Sequence, residues 1–402
     1  MHILKIIHGF PPLYEAGSEV YTKTLIDELC KENQVLLFSR YENEYELDFN
    51  LKVEMKKNFK HYLVNMPRKK EAYQHQELDT IFDSILKKEK IDIAHIGHLH
   101  HLSTGIVDLL KQKKIPIVFT LHDFWLMCPR GQFVQRNSDG KNYYSLCDKQ
   151  EDLKCAKNCF SIYHHSTKED LDYWQNWVKR RIEVMKKIVK QVDLFIAPSE
   201  YLLNRFVNDF NVPKNKIVLK NYGFKIPKKI SKIKNSKFRF GYIGTHIPSK
   251  AVNLLIQSFK NSKIDAKLLV FGAKSNSDQF LELDSRIEFQ GSYKNSEIYK
   301  KILNQIDCLI IPSIWMENSP LVCTEARLAG VPVLVADNGG MKELSEKDKN
   351  IFTFKHRDSF DLTKKIEFIF NLKNKNFNSS RMKVVDSKTH ANEILELYKT
   401  FL

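Results

Sequence analysis

The chain has 402 residues, of which 43% are hydrophobic and 28% charged. That is a globular composition with room for two domains, and it excludes disorder over most of the length. No apolar run reaches the roughly 18 residues of a membrane-spanning helix, and seven cysteines, an odd number, do not make a secreted disulfide framework. The opening MHILKIIHGFPP has too short an apolar run for a signal peptide and no small-residue cleavage site, so a cytoplasmic protein is expected. With 64 basic and 48 acidic residues the formal charge is +16. Such an excess favours anionic partners, whether nucleic acid, anionic lipid or phosphorylated substrates; abundant solvated surface lysine accounts for it equally well.

Residues 3–8 form a first strand, broken by Gly9-Phe10-Pro11-Pro12. Ala16-Gly17-Ser18-Glu19 then opens a helix with Val20, Leu25 and Leu29 on its inner side. A strand, a glycine-containing turn and a helix begin a doubly wound unit; Gly17 would let backbone approach a phosphate, and Ser18 would cap the helix. Strands are predicted at 35–38, 91–96 and 115–120, with helices at 74–88 and 104–111 between them, an alternation that implies a mostly parallel sheet. The strand at 115–120 runs into His122-Asp123. A polar pair at the carboxyl end of a parallel strand lies where open α/β sheets bind ligands.

The alternation stops over 124–165. Cys128, Cys147, Cys155 and Cys159 fall in this polar stretch with Arg130, and His164 and His165 close it. Four thiols so close fit a structural tetrahedral zinc; disulfides, or four unconnected thiols, stay open as alternatives. Residues 173–192 repeat Trp174, Trp177, Val178, Ile182, Met185, Ile188, Val189 and Val192 at helical spacing. Lys179, Arg180, Arg181, Lys186, Lys187 and Lys190 fill much of the rest. Such a helix either lies on an anionic membrane or covers the sheet. Asp170-Leu171-Asp172 just before it reads as a solvated face and not as a metal-binding D-x-D. A strand at 193–197 leads to Pro198 and a cap at Ser199, and the strand 217–219 leads to Asn221-Tyr222-Gly223. The Lys-rich stretch 227–237 is the predicted linker between a domain of 1–226 and one of 238–385. The final helix, within 386–402, is expected to cross back to the first domain.

The second half again alternates strand and helix. Strands at 238–243, 267–271 and 287–290 each end in a glycine, namely Gly244, Gly272 and Gly291, and a helix is predicted at 296–304. Residues 308–340, CLIIPSIWMENSPLVCTEARLAGVPVLVADNGG, carry the richest signal. Two apolar strands flank a short helix with Ser319 as its predicted N-cap, Pro320 as its first residue, and Gly330 as its stop. The helix is apolar nearly all round and so buried, yet Glu325 lies on its Leu321–Leu328 stripe, where a carboxylate needs a partner. Glu317 lies in the loop before the helix. The helix N-terminus between them offers N–H groups and a positive dipole end, a site for phosphate. A diphosphate flanked by hydroxyls, as in a sugar nucleotide, has the matching shape. A plain βαβ unit whose Glu325 pairs with an Arg or Lys is the other reading.

P-S-x-x-x-E-N-S-P-L-V-x-x-E-A-x-x-A-G-V-P-V, closing with Asn338-Gly339-Gly340, resembles the E-x7-E motif of the retaining glycosyltransferases of family GT4 (glycosyltransferase group 1). The resemblance implies the α/β GT-B architecture, two doubly wound Rossmann-like domains facing a cleft. It implies a UDP- or GDP-sugar donor and a glycan or lipid-linked acceptor in surface polysaccharide or lipopolysaccharide assembly, with an enzyme of hexosyltransferase type. By the same resemblance, Glu325 accepts from the ribose hydroxyls, and Glu317 with Asn318, Ser319, Pro320 and Leu321 faces sugar and phosphates. His122 contacts the sugar, Lys250 the diphosphate, and Gly17 and Ser18 face the donor. Catalysis then requires no cofactor, and a peripheral position on the inner membrane face is expected. One departure is that the arginine usual before that lysine is absent from Gly244-Thr245-His246-Ile247-Pro248-Ser249-Lys250, where His246 or Arg130 would substitute. The other is that Ala251 replaces a glycine. Two rival readings are a sugar-nucleotide epimerase of the same architecture and a non-enzymatic binder of anions or nucleic acid.

Overall fold

In the computed structural model, residues 1–66, 72–136, 143–160, 167–228, 230, 232–233, 236–272, 284–372 and 382–402 are described. The chain forms two compact units. The first comprises residues 1–131, 149–225 and 385–402, and the second 132–148 and 226–384.

Unit 1 is built on an eight-stranded sheet. Its strands are β1 (His2–Ile7), β2 (Gln34–Tyr41), β3 (Leu51–Met55), β4 (Lys60–Asn65), β5 (Ile93–Ile96), β6 (Ile117–Thr120), and, after a hairpin of β7 (Val134–Arg136) and β8 (Tyr143–Leu146) that belongs to unit 2, β9 (Leu194–Ala197) and β10 (Ile217–Leu219). The order is β10-β9-β6-β5-β1-β2-β4-β3, parallel throughout except for β3, which pairs antiparallel with β4 at the edge. The central strands are continuous apolar runs because helices cover both faces of a parallel sheet. In β5, β6 and β9 every residue is buried. The strands β3 and β4 were not read from the sequence: no residue of β3 is buried, and the strand pairs only with β4 at the sheet edge.

The helices of unit 1 are α1 (Gly17–Leu29), α2 (Gln76–Lys88), α3 (Gly105–Gln112), α4 (Asp152–Cys159), α5 (Lys168–Gln191) and α6 (Glu200–Phe210). Ser199 caps α6 by accepting from Leu202 N at 3.2 Å. Thr167 caps α5 by accepting from Asp170 N at 3.1 Å, so the first acid of the D-x-D triplet belongs to a helix start. The apolar stripe of α5 is turned into the protein, burying Trp174, Val178, Met185, Ile188 and Val189. Arg181, expected on the basic outer face, is buried as well. Its Nη2 donates to Trp125 O at 2.5 Å and its guanidinium lies 4.7 Å over the Trp125 ring. Trp177 and Ile182 of the same stripe are half-buried.

Unit 2 carries β11 (Phe238–Ile243), β12 (Ala266–Phe271), β13 (Ile287–Gly291), β14 (Cys308–Ile311), β15 (Val333–Ala336) and β16 (Ile351–Phe354). They form a six-stranded sheet in the order β13-β12-β11-β14-β15-β16, all parallel. Counted from β11 this is the 3-2-1-4-5-6 doubly wound order, and it reverses between β11 and β14. The crevice outside the carboxyl ends of those two strands is where such a sheet binds ligands. Its helices are α7 (Val252–Asn261), α8 (Leu321–Leu328), α9 (Gly339–Lys347) and α10 (Ser359–Leu372); α11 (Ser387–Lys399) belongs to unit 1. The expected helix at 296–304 is instead a 3₁₀ turn followed by a π-helical turn at Ile298–Ile302.

Two boundaries differ from the sequence reading. Residues 132–148, expected in the loop of the first domain, cluster with unit 2, where Arg357 Nη1 donates to Tyr144 O at 3.0 Å. The supposed linker is attached to unit 2. Ile230 packs on its core, and Lys232 Nζ donates to the carbonyls of Leu303 and Ile306 at 3.2 and 2.6 Å. Burial pulls the Lys232 ammonium down to about 8. No described helix is long and apolar enough to cross a membrane.

Candidate functional site

Two loops meet at the reversal of the unit 2 sheet. The loop after β11 ends in Ser249 and Lys250, and the loop after β14 runs from Ser313 to Pro320. They are joined by Ile314 N, which donates to Ser249 O at 2.8 Å. Glu317, 4% exposed, gathers three donors on its Oε1: Lys250 Nζ at 2.5 Å, Ser313 Oγ at 2.8 Å and Trp315 Nε1 at 2.8 Å. The ammonium of Lys250 also lies 5.3 Å over the Trp315 ring. Lys250 and Glu317, read separately from the sequence, are therefore one ion pair held by a serine and a tryptophan that the sequence reading left without roles.

The backbone of Glu317 and Asn318 is pressed against the start of α9. Gly340 N donates to Glu317 O at 2.7 Å, and a Cβ at Gly340 would lie 1.5 Å from Asn318 O. Only glycine fits there. His356 Nε2 lies 2.7 Å from Ile314 O and steadies the same loop. The floor of this edge is also glycine: Gly272 has φ +134°, and a Cβ on it would lie 1.8 Å from Gly244 O.

Helix α8 starts one residue later than expected. Pro320 is its N-cap and Leu321 its first residue, and no side chain caps it, so Ser319 does not have the capping role assigned to it. The first-turn N–H groups of an uncapped helix are hydrogen-bond donors without helical acceptors. On this helix Glu325 is 6% exposed. Burial pushes its carboxyl up to about 7, and a hydrogen bond from Asn295 only partly opposes this. Its Oε2 is buried with no hydrogen-bond partner, as is Asn338 Oδ1 at the N-cap of α9. The plain structural reading required an Arg or Lys beside Glu325. Arg327 of the same helix instead pairs with Asp348 at 2.8 Å and donates to Val331 O.

His246, proposed as a substitute cation, is 3% exposed and packed edge-on to Tyr242 and Phe289, at 5.8 and 6.0 Å. Ala251 has φ +53°, the left-handed conformation that glycine adopts without strain; the departure from the family pattern keeps the conformation and loses the residue suited to it.

Unit 1 holds the other expected residues. Gly17 is the first residue of α1, whose N-cap is Ala16; Ser18 does not cap, its Oγ donating instead to Glu19 Oε2 at 2.9 Å. His122 Nδ1 is 2.7 Å from Tyr222 Oη, and burial pushes the imidazole down to about 3. Arg130 lies 5.8 Å over the Phe160 ring. Two imidazole–carboxylate pairs at the carboxyl ends of β1, β5 and β6 were missed: His8 Nε2 with Glu19 Oε1 at 3.1 Å and His98 Nε2 with Asp123 Oδ2 at 3.3 Å. The GHLHH run after β5 was the available signal, masked because β5 itself was read only as a strand.

Comparison with known proteins shows the family and the fold. The profile described as Glycosyl transferases group 1 matches residues 224–383. That described as Glycosyltransferase Family 4 matches residues 16–219, just over half of the 402 residues. The chain belongs to glycosyltransferase family 4. Among curated relatives of this family 4 chain, an uncharacterized 42.6 kDa protein of the cps region of Klebsiella pneumoniae is 23% identical, the match covering 67% of this chain and 64% of that protein. The capsular polysaccharide biosynthesis glycosyltransferase CapM of Staphylococcus aureus is 25% identical over 52% of this chain and 61% of its own length. The matches to these two relatives thus span less than two thirds of their lengths. The structure of Anabaena HepE, solved with UDP and glucose, superposes with a TM-score of 0.67 at 16% identity, covering 99% of both chains. The fold of the family 4 chain is GT-B, two doubly wound α/β domains.

Among the described residues no group of three His, Cys, Asp or Glu side chains is placed to hold a metal ion. Cys155 and Cys159, one turn apart on α4, enter an apolar cluster with Phe160, Trp174 and Val178. Cys147 lies in the segment that joins unit 2. His164 and His165, the substitute ligands, lie outside the described residues.

Proposed function

We propose that this family 4 chain is a retaining hexosyltransferase that moves a sugar from a UDP- or GDP-sugar to a glycan or lipid-linked acceptor of surface polysaccharide assembly. The observation that carries the proposal is Glu325. It is a buried carboxylate with one oxygen unpartnered, one helix away from an ion pair of Lys250 and Glu317. A buried acceptor left empty costs stability, and a pair of ribose hydroxyls supplies the missing donors. The sugar nucleotide is then held at three points. Glu325 takes the ribose, Lys250 and the open N–H groups of α8 take the diphosphate, and Glu317 faces the sugar.

The leaving nucleoside diphosphate gains negative charge as the glycosidic bond breaks, and fixed positive groups at that place lower the barrier. Lys250 supplies a full charge, and the start of α8 supplies oriented N–H dipoles. Ser313 and Trp315 hold Glu317 and, through it, the ammonium, so the cation is in place before the donor arrives. The chain has no other need of a charged base at this site if the departing phosphate receives the acceptor proton, as the retaining pattern implies. His122, neutral at physiological pH, serves as a polar contact to the sugar. The capsular relatives support an envelope acceptor. A role on an anionic inner membrane face rests on the exposed Lys179, Arg180, Lys186, Lys187 and Lys190 of α5, by charge alone. The epimerase and nucleic-acid readings account less well for an acid pair flanking a helix start.

The test is stereochemical. The protein is incubated with each of a panel of UDP- and GDP-hexoses and a membrane extract as acceptor source, and the anomeric configuration of the product linkage is read by NMR. Retention of the donor configuration supports the proposal; inversion refutes it.

A further inference from the structure

His122 is held from one side by a residue that the proposed mechanism leaves without a task. Tyr222 Oη lies 2.7 Å from His122 Nδ1, and the two rings stack with centroids 5.7 Å apart and planes 25° from parallel. Tyr21 meets the imidazole edge-on at 5.3 Å and the Tyr222 ring at 4.6 Å. Tyr21 is fixed in turn by His390 of α11, with Oη 2.9 Å from Nε2. Tyr222 cannot shift along its own segment. A Cβ on the following Gly223 would lie 2.4 Å from the His390 Cβ, and Phe224 N donates to Val385 O at 3.0 Å while Ser387 N donates to Phe224 O at 2.9 Å. The phenol therefore stands on a clamped segment, the last before the chain leaves unit 1 after Lys225.

The direction of this hydrogen bond decides what His122 can do. A phenol is a good donor and a weak acceptor, and the in-plane lone pair of a neutral imidazole nitrogen is a strong acceptor. Burial keeps both groups uncharged: it raises the Tyr222 phenol well above its usual value and lowers the imidazole. The charged and titratable neighbours that act on His122, namely His98, Asp123, Lys5 and Glu19, do not reverse this. The shared hydrogen is then the tyrosine's, Nδ1 is unprotonated, and the imidazole's own hydrogen is on Nε2. We infer that Tyr222 is a positioning residue that fixes His122 as its Nε2–H tautomer, so that His122 gives the transferred sugar a neutral hydrogen-bond donor and not a base. The inference rests on the proposed contact between His122 and the sugar.

The tautomer is read first, in the wild-type protein without ligand, by ¹⁵N NMR of histidine-labelled enzyme. A protonated Nε2 and an unprotonated Nδ1 at His122 are expected; the reverse assignment overturns the inference without need of any variant. Tyr222→Phe keeps the stacked ring and removes the hydroxyl. It is expected to give a mixture of tautomers and to lower kcat by about five- to tenfold, the effect of one neutral hydrogen bond, with donor KM and melting temperature nearly unchanged. The donor used is whichever UDP- or GDP-hexose the wild type turns over fastest. A fall in melting temperature with kcat preserved would mark a structural role and overturn the inference. His122→Gln places an amide N–H near the Nε2 position, and Tyr222→Phe added to it is expected to cost nothing further; a full additional loss overturns the inference. His122→Ala separates the two levels. If it turns over like wild type, the sugar contact is wrong. If it is slow while Tyr222→Phe is fast, the contact stands and only the positioning role fails.

Discussion

Replacing Glu325 by glutamine should stabilise the ligand-free protein and weaken its binding of donor, and the size of the first effect should depend on pH. Burial holds the Glu325 carboxyl at about 7, against 4.5 for the unperturbed group. A carboxyl raised in the folded state contributes its full stability below pH 4.5 and loses it as pH rises through 7. A shift of that size corresponds to roughly 3 kcal/mol of destabilisation once the group is ionised. At pH 8 the wild type bears this cost and Glu325→Gln does not; at pH 4.5 both side chains are neutral and the difference vanishes. For a unit of this size the change is worth several degrees or more of melting temperature. Donor binding should move the other way. The amide replaces the bare Oε2 or its partner oxygen with an N–H, so one ribose hydroxyl loses a charge-assisted acceptor, at a cost of about 1.5–3 kcal/mol or tenfold and upward in Kd. The assay is thermal unfolding at pH 4.5, 6 and 8, with titration of UDP, GDP and their hexoses into both proteins at pH 8. A melting-temperature difference independent of pH, or a variant less stable than wild type at pH 8, would refute the reasoning about the buried carboxylate. Unchanged nucleotide affinity would refute its role in the site.

Lys250→Ala should raise donor KM at least tenfold, and wild-type activity should survive brief EDTA treatment, because the ammonium and the start of α8 supply the charge on the diphosphate; a strict requirement for added magnesium or manganese contradicts this. Ala251 holds φ +53°, so Ala251→Gly should be neutral or stabilising in thermal melts, against the usual loss of about 0.5–1 kcal/mol for alanine to glycine, while the β-branched Ala251→Val should destabilise by ~2 kcal/mol or more and raise donor KM through the displaced Lys250; a glycine variant that melts well below wild type would count against the strain. Unit 1 should weaken as pH falls from about 6.5. Burial pushes His61, His122 and His390 down to about 4, 3 and 4, so the unfolded chain takes up protons at these sites before the folded one does, and stability is lost progressively towards pH 4. Amide hydrogen exchange of unit 1, measured at pH 7, 6 and 5, should show this loss; protection that stays flat over that range contradicts it.

The parts of the fold that repeat were the legible ones. Strand-like runs ending in Gly244, Gly272 and Gly291 and alternating with helices announced a parallel sheet, and 217–219 and 308–311 were read to the residue. Elements that depend on a neighbour were not: the apolar face of β3, Leu51, Val53 and Met55, is left half-buried or exposed at the sheet edge, and the chain crosses into unit 2 at Gln132 for a hairpin whose anchor, Arg357, lies more than two hundred residues away in sequence. At the site, the acids and Lys250 could be found because a motif fixes their spacing. Their supports could not, since nothing in the sequence says that Ser313 and Trp315 donate to Glu317 and not to solvent. Four thiols close in sequence suggested one centre, and nothing in their spacing says that Cys155 and Cys159 of α4 pack in an apolar cluster with Phe160, Trp174 and Val178.

The central claim is that a sugar nucleotide binds and reacts at the Lys250–Glu317–Glu325 site. Its most direct test is to incubate wild type, Lys250→Ala and Glu325→Gln with UDP-, GDP- and ADP-hexoses and to quantify released nucleoside diphosphate. One nucleotide class is expected to be consumed by wild type, slowly without acceptor and faster with membrane extract, and both variants should release at most about a tenth as much at a donor concentration well below the wild-type KM. No release from any donor, or equal release by all three proteins, would contradict the account.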